Sequence, residues 1–146
     1  MNILVSQCLL GEPCRYDGKS KPVLELEKLR DRGYDLIPVC PEVLGGLPTP
    51  RPPAERQEDG RVVNRLGTDV TKEYRRGAEL ALELALREGC ALAVLKAKSP
   101  SCGNCRIYDG SFTGTLKPGK GVTAELLEQS GIRVLNEAEL DQLLNG

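Results

Sequence analysis

Six cysteines stand against no histidine in 146 residues, and that contrast bounds the chemistry open to the chain. Without imidazole there is no Ser-His-Asp triad, no Cys-His protease pair, no HExxH zinc site and no histidine-ligated haem. Proton transfer near neutral pH falls to carboxylates, cysteines, lysines or tyrosines whose pKa the fold has tuned. Three cysteines, Cys8, Cys40 and Cys102, sit in glycine- or proline-punctuated stretches (QCLLG, VCPE, SPSCGNC) where packing gives little reason for a thiol. Cys90, between Gly89 and Ala91, reads instead as a small buried hydrophobe. Cys102 and Cys105 form a CxxC (CGNC), the spacing of a thioredoxin-like dithiol or of half a zinc site. A four-thiolate zinc site wants a second close pair, and the other available pair is Cys8 with Cys14, separated by five residues. Three converging thiolates without histidine suit an iron–sulfur cluster at least as well.

The elements that must position these thiols follow from hydrophobic pattern. Residues 2–6 (NILVS), 34–39 (YDLIPV), 91–95 (ALAVL) and 132–135 are short continuous apolar runs, as buried strands are. Pro38 sits awkwardly in the second. Between them, a helix is expected from Pro22 to Gly33 after a turn-rich loop over 11–21, and a long helix from an N-cap at Thr68 to Glu88, stopped by Gly89. Val70, Tyr74, Ala78, Ala81 and Ala85 would form the inner stripe of that long helix. Residues 122–130 and 137–144 are expected as further helices, with a short strand over 61–64 and a hairpin over 108–115. Five of the ten prolines lie between Pro41 and Pro53, inside a stretch of about twenty residues, a length that in compact domains is usually functional or disordered.

Strands alternating with helices, the strands apolar throughout, predict an α/β fold: a three-layer αβα arrangement around a mostly parallel, Rossmann-like sheet. In such a sheet the loops leaving the carboxyl ends of the strands line one crevice, where ligands bind. Cys8 follows the first strand, Cys40 the second, and Cys102 lies a few residues past the third. Residues far apart in the chain are thereby expected at one point.

Length near that of an average domain predicts a single α/β domain over 1–146. The net charge of −1 gives no electrostatic case for a nucleic-acid or anionic-membrane partner. There is no apolar stretch of membrane-spanning length, and MNILVSQCLLG lacks the basic start of a signal peptide. A cytoplasmic location follows, where six cysteines are an unusual disulfide framework and metal or catalytic use gains weight. The sequence leaves the oligomeric state open.

SQCLLGEPCRYDGKSK, CPEVLGGLPTPRPPAE, GTDVT, Gly77-Ala78, LKAKSPSCG, YDGSFTGTL and GKGVTAELL occur in that order. Together they resemble the thiouracil desulfidase family over nearly the whole chain. The resemblance implies a 4Fe–4S cluster held by three cysteines with its fourth iron open, and on these motifs the ligands would be Cys8, Cys40 and Cys102. Cys14 matches a cysteine of the first block but not a ligand, and Cys105 lies outside the SPSCG stretch.

An open iron is a Lewis acid suited to a soft sulfur donor. A thiocarbonyl bound there exposes its carbon to water, and sulfur departs as sulfide with no net electron transfer. The expected activity is thus hydrolytic, non-redox desulfuration of a small thiolated heterocycle, a thiouracil-like base being the small-molecule partner. With histidine absent, Glu42 is the expected general acid–base. Ser101 is the expected substrate- or water-orienting hydroxyl, with Ser99 as the second choice and capping as the competing role. Arg15, Tyr16 and Asp17 either contact a planar base or brace their loop, and Lys96 either meets an anion or is solvated. Two alternatives stand beside this: a CxxC dithiol oxidoreductase, and a non-catalytic iron–sulfur or zinc-binding protein.

Overall fold

A computed structural model of the chain describes residues 1–19 and 22–144. Four strands, β1 (Asn2–Ser6), β2 (Asp35–Val39), β5 (Leu92–Leu95) and β8 (Arg133–Asn136), form one sheet in the order β2-β1-β5-β8. Every pairing in it is parallel. Helices α1 (Glu25–Asp31), α3 (Thr71–Arg87), α4 (Val122–Gln129) and α5 (Asp141–Leu144) cover it, with a one-turn helix α2 (Pro41–Leu44) at its rim. Two antiparallel hairpins complete the chain: β3 (Ala54–Arg56) with β4 (Val62–Asn64), and β6 (Arg106–Tyr108) with β7 (Leu116–Pro118).

Side-chain alternation along the strands divides the core into two layers. Leu4, Ala93, Leu95 and Val134 face Ala81 and Ala85 of α3 and Ala124 and Leu127 of α4. Ile3, Val5, Leu92, Val94 and Leu135 face Leu26 and Leu29 of α1 and Leu140 beside α5. Apolar residues are therefore needed at successive strand positions, because both faces are covered. The stripe Val70, Tyr74, Ala78, Ala81 and Ala85 is buried throughout, although Val70 caps α3 and lies outside it.

Several expected boundaries are corrected. The first helix begins at Glu25 and not Pro22; Val23 N–H instead donates to the Leu9 carbonyl, tying this entry to the segment after β1. Ser20 and Lys21, at the end of the expected 11–21 loop, lie outside the described residues, as do the last two of the chain. Strand β2 is an edge strand with Asp35 and Pro38 exposed, not a fully buried one, which is why the ladder tolerates a proline. Helix α3 begins at Thr71 and not after Thr68; Asp69 Oδ1 accepts the Thr71 N–H at 2.8 Å and supplies the polar start. Residues 108–115 are mainly the connection of the β6–β7 hairpin rather than its strands. The expected closing helix over 137–144 is a short 3-10 turn (Glu137–Glu139) followed by α5.

Candidate active site

The carboxyl ends of β1, β2 and β5 open into a cavity of about 470 Å³. Cys8, Cys14, Cys40 and Cys102 all line it, together with Glu42 and Ser99. Cys8 arrives on a 3-10 turn (Gln7–Leu10) directly after β1, closed by Gly11 in the left-handed region at φ 97°. Cys40 directly follows β2 and precedes α2, whose Pro41 occupies the first helical position, where a missing N–H is harmless. Cys102 follows the turn after β5, where Ser99 Oγ accepts the N–H groups of Ser101 and Cys102, both at 3.0 Å.

The α2 turn is pressed onto α3 by two glycines. A Cβ on Gly45 would lie 1.9 Å from the Glu73 carbonyl oxygen, and one on Gly77 would lie 1.9 Å from that of Pro41. This close approach brings Glu42 to Tyr74. Tyr74 OH donates to Glu42 Oε1 at 2.6 Å, and Arg51 Nε donates to the same oxygen at 3.2 Å. Arg51, its side chain only 4% exposed, also donates to the Pro48 carbonyl, Thr49 Oγ1 and the Cys14 carbonyl at 3.0–3.1 Å. A planar guanidinium thus ties the proline-rich segment, the first cysteine loop and the CPE turn together. Burial acts to lower the Arg51 pKa, but the charge and hydrogen bond of Glu42, together with the neighbouring Cys40 and Tyr74, outweigh it and the group is held above its ordinary value.

Burial pushes the Cys102 thiol up to about 12, opposed by the Ser6 hydroxyl, which donates to its sulfur at 3.6 Å. Contact with Cys40 acts to lower the Cys14 thiol, while contact with Cys8 and burial leave it raised at about 11. Cys40 is raised as well, by its contact with Cys14 and then by burial. Cys14 joins the same wall, its carbonyl accepting from Cys40 Sγ at 3.8 Å.

The structure places the remaining candidates less uniformly. Ser101 is fully buried outside the cavity lining and shares a 2.8 Å hydrogen bond with Thr123 Oγ1 at the start of α4. Cys105 is exposed and does not line the cavity, although Cys102 does. Cys90 is buried in the α3–α4 core layer. Lys96 pairs with Glu137 at 3.2 Å, and Arg15 stands 4.0 Å from Asp17. Sequence reasoning missed Ser6, Arg51 and the polar role of Tyr74. Only the proximity of Arg51 to the CPE motif hinted at any of them.

The donor set fits an iron–sulfur cluster. Cys8, Cys40 and Cys102 reach the cavity from three separate strand ends. Among the described residues no three Cys, Asp or Glu side chains close on a single metal ion. An all-thiol set with no histidine beside it is the donor chemistry that iron–sulfur clusters take.

Comparison with known proteins gives concordant results. A solved structure of a [4Fe-4S]-dependent thiouracil desulfidase, TudS, is 52% identical and superposes with a TM-score of 0.92, covering 98% of this chain and 95% of that one. The uncharacterized protein YbbK of Bacillus subtilis (strain 168) is 43% identical over 151 residues, covering 97% of this chain and 99% of the relative. The 2-thiouracil desulfurase family matches residues 3–139, and the chain belongs to that family.

Proposed function

We propose that the chain is a [4Fe–4S]-dependent, non-redox desulfidase that removes sulfur hydrolytically from a small thiolated heterocycle of the thiouracil type. Its chief support is the meeting of Cys8, Cys40 and Cys102 with Glu42 at one cavity. Those three cysteines would hold the cluster, whose open iron supplies a Lewis acid for the thiocarbonyl sulfur.

The chain's own residues supply the rest. Both hydrogen bonds to the Glu42 carboxylate fall on Oε1, so Oε2 is the oxygen that takes a proton from the attacking water. Tyr74 and Arg51 fix the direction of that oxygen. Ser6 points its hydroxyl proton at the Cys102 sulfur and supports the thiolate form. Ser99 lines the cavity but spends its acceptor capacity on the turn, leaving its O–H to donate; Ser101 acts by buttressing Cys102 through Thr123. No helix of the described residues is long and apolar enough to cross a membrane. We take the chain to work as one α/β domain in the cytoplasm, where its six free cysteines stay reduced.

Anaerobic reconstitution with iron and sulfide, followed by visible and EPR spectroscopy and sulfide release from 2-thiouracil, tests this reading. A cluster signal lost in each of Cys8→Ser, Cys40→Ser and Cys102→Ser is expected, with sulfide release unchanged in Cys105→Ser. Loss of activity in Cys105→Ser alone would instead favour the dithiol oxidoreductase. Cluster binding without sulfide release would favour a carrier.

A further inference from the structure

The cavity collects features that cluster binding does not use. Four of the five aromatic side chains in the chain, Tyr16, Tyr74, Tyr108 and Phe112, line it. Among the described residues the two non-glycine positions with positive φ are Lys98 at 68° and Phe112 at 58°, and both line the same cavity. An aromatic side chain is disfavoured in this backbone region, so the surroundings must hold Phe112 there.

The holding group is visible. Glu55, on β3 and nearly buried, accepts the Gly110 N–H at 2.9 Å and the Phe112 N–H at 3.2 Å on one oxygen, Oε1. Two backbone donors converging on a carboxylate form a small anion nest, here filled by the chain itself. Gln57 Nε2 donates to the Gly110 carbonyl at 3.3 Å from the same hairpin. On either side of Phe112, the hydroxyls of Ser111, Thr113 and Thr115 are linked in series, and Asp109 N–H donates to the Thr115 carbonyl at 2.9 Å. The loop is braced at every second residue. Its rim is tied to the β3–β4 hairpin by hydrogen bonds from both Glu55 and Gln57.

We propose that Phe112 is the platform on which the planar heterocycle stacks, and that Glu55 is its positioning residue. The proposal rests on the desulfidase reading for the identity of the heterocycle. Stacking on a fixed ring orients a flat molecule without consuming its polar edges, leaving the thiocarbonyl free to turn toward the cysteines. Tyr74 does not serve this purpose, because it is 2% exposed and its hydroxyl is committed to Glu42. Tyr16, at 40% exposed, belongs to the outer rim.

The test measures equilibrium binding of uracil, which carries no sulfur to lose, and KM and kcat for 2-thiouracil, all on cluster-loaded protein. Phe112→Gly is the informative variant: glycine relaxes the positive φ, so the loop keeps its fold while the ring is removed. Phe112→Gly is expected to weaken uracil binding and raise KM about tenfold, with kcat held within about twofold. Phe112→Tyr should restore both. Glu55→Ala should reproduce the KM defect and Glu55→Gln, which keeps the acceptor oxygen, should not. Sulfide release and uracil binding both unchanged in Phe112→Gly overturn the platform and leave the desulfidase reading intact. Failure of the parent protein to release sulfide while uracil binding still depends on Phe112 overturns the reading and keeps the platform. If the parent protein neither binds uracil nor releases sulfide, both fall.

Discussion

Arg51 is charged, almost fully enclosed and fourfold hydrogen-bonded, so its removal strands several groups at once. Glu42 loses its counter-charge, and the carbonyls of Cys14 and Pro48 lose a donor. Breaking one side of a largely buried pair typically costs about 3 kcal/mol. We expect Arg51→Met to lower stability by about that much, and Tyr74→Phe by about 1 kcal/mol, since it removes one hydrogen bond and keeps the ring. Urea unfolding of the cluster-free protein measures both, and an Arg51→Met variant as stable as its parent would remove the organising role assigned to this guanidinium. Arg51→Lys should fare little better than Met, because one ammonium cannot reach four acceptors in a plane. Little of this was readable beforehand. An arginine inside PTPRPP looks like a solvated loop residue, Tyr74 sits in a helical stripe that packing alone explains, and Ser6 merely ends a strand. Glu42 was legible because it adjoins Cys40, while its partners lie nine and thirty-two positions away.

The elements show where short segments escape periodicity. The four parallel strands and the α3 stripe are apolar over enough residues to be read from pattern, and they were. Helix α2 has four residues and β3 has three, too few for a period to repeat, and both fell inside what looked like one irregular loop. Yet α2 is what aims Glu42. Its seat on α3 requires hydrogen at two facing Cα positions, and Gly77→Ala would drive a methyl into the Pro41 carbonyl, which is backbone and cannot swing aside. We expect Gly77→Ala to destabilise by about 2 kcal/mol, in the range of overpacking, despite the better helix propensity of alanine. It should also depress sulfide release more than stability alone explains, because the displaced turn carries Cys40 and Glu42. Leu86→Ala, on the exposed side of the same helix, is the control and should change stability by less than about 0.5 kcal/mol. Equal effects of the two substitutions in thermal unfolding would mean that the α2–α3 contact yields freely.

At the scale of the molecule, strand order decides what meets. The chain leaves β1 for β2 on one side and later returns to β5 on the other, so the cavity lies beside the place where the connections diverge. Topology alone therefore predicted that Cys8, Cys40 and Cys102 would share a crevice. It did not predict that Cys14 would join the cavity wall beside Cys40, or that Ser101 would turn away toward α4, since a loop's internal path is not set by the strands that flank it. The same topology makes a three-point cluster a cross-link between segments whose core packing is otherwise separate: Cys8 belongs to the α1 layer and Cys102 to the α3–α4 layer. A group bound to the native fold and absent from the unfolded chain raises stability with the logarithm of its affinity. Removal of iron with a chelator under anaerobic conditions should accordingly lower the Tm by several degrees. The lost amide protection should concentrate in residues 7–16, 40–53 and 96–103, while β1 and β5 exchange as slowly as before. Hydrogen exchange of the loaded and stripped protein reads this directly. A uniform loss across the sheet would mean that the cluster is needed to form the core, whereas no loss in the three loops would mean that hydrogen bonds such as those of Arg51 and Ser99 already hold the cavity in shape.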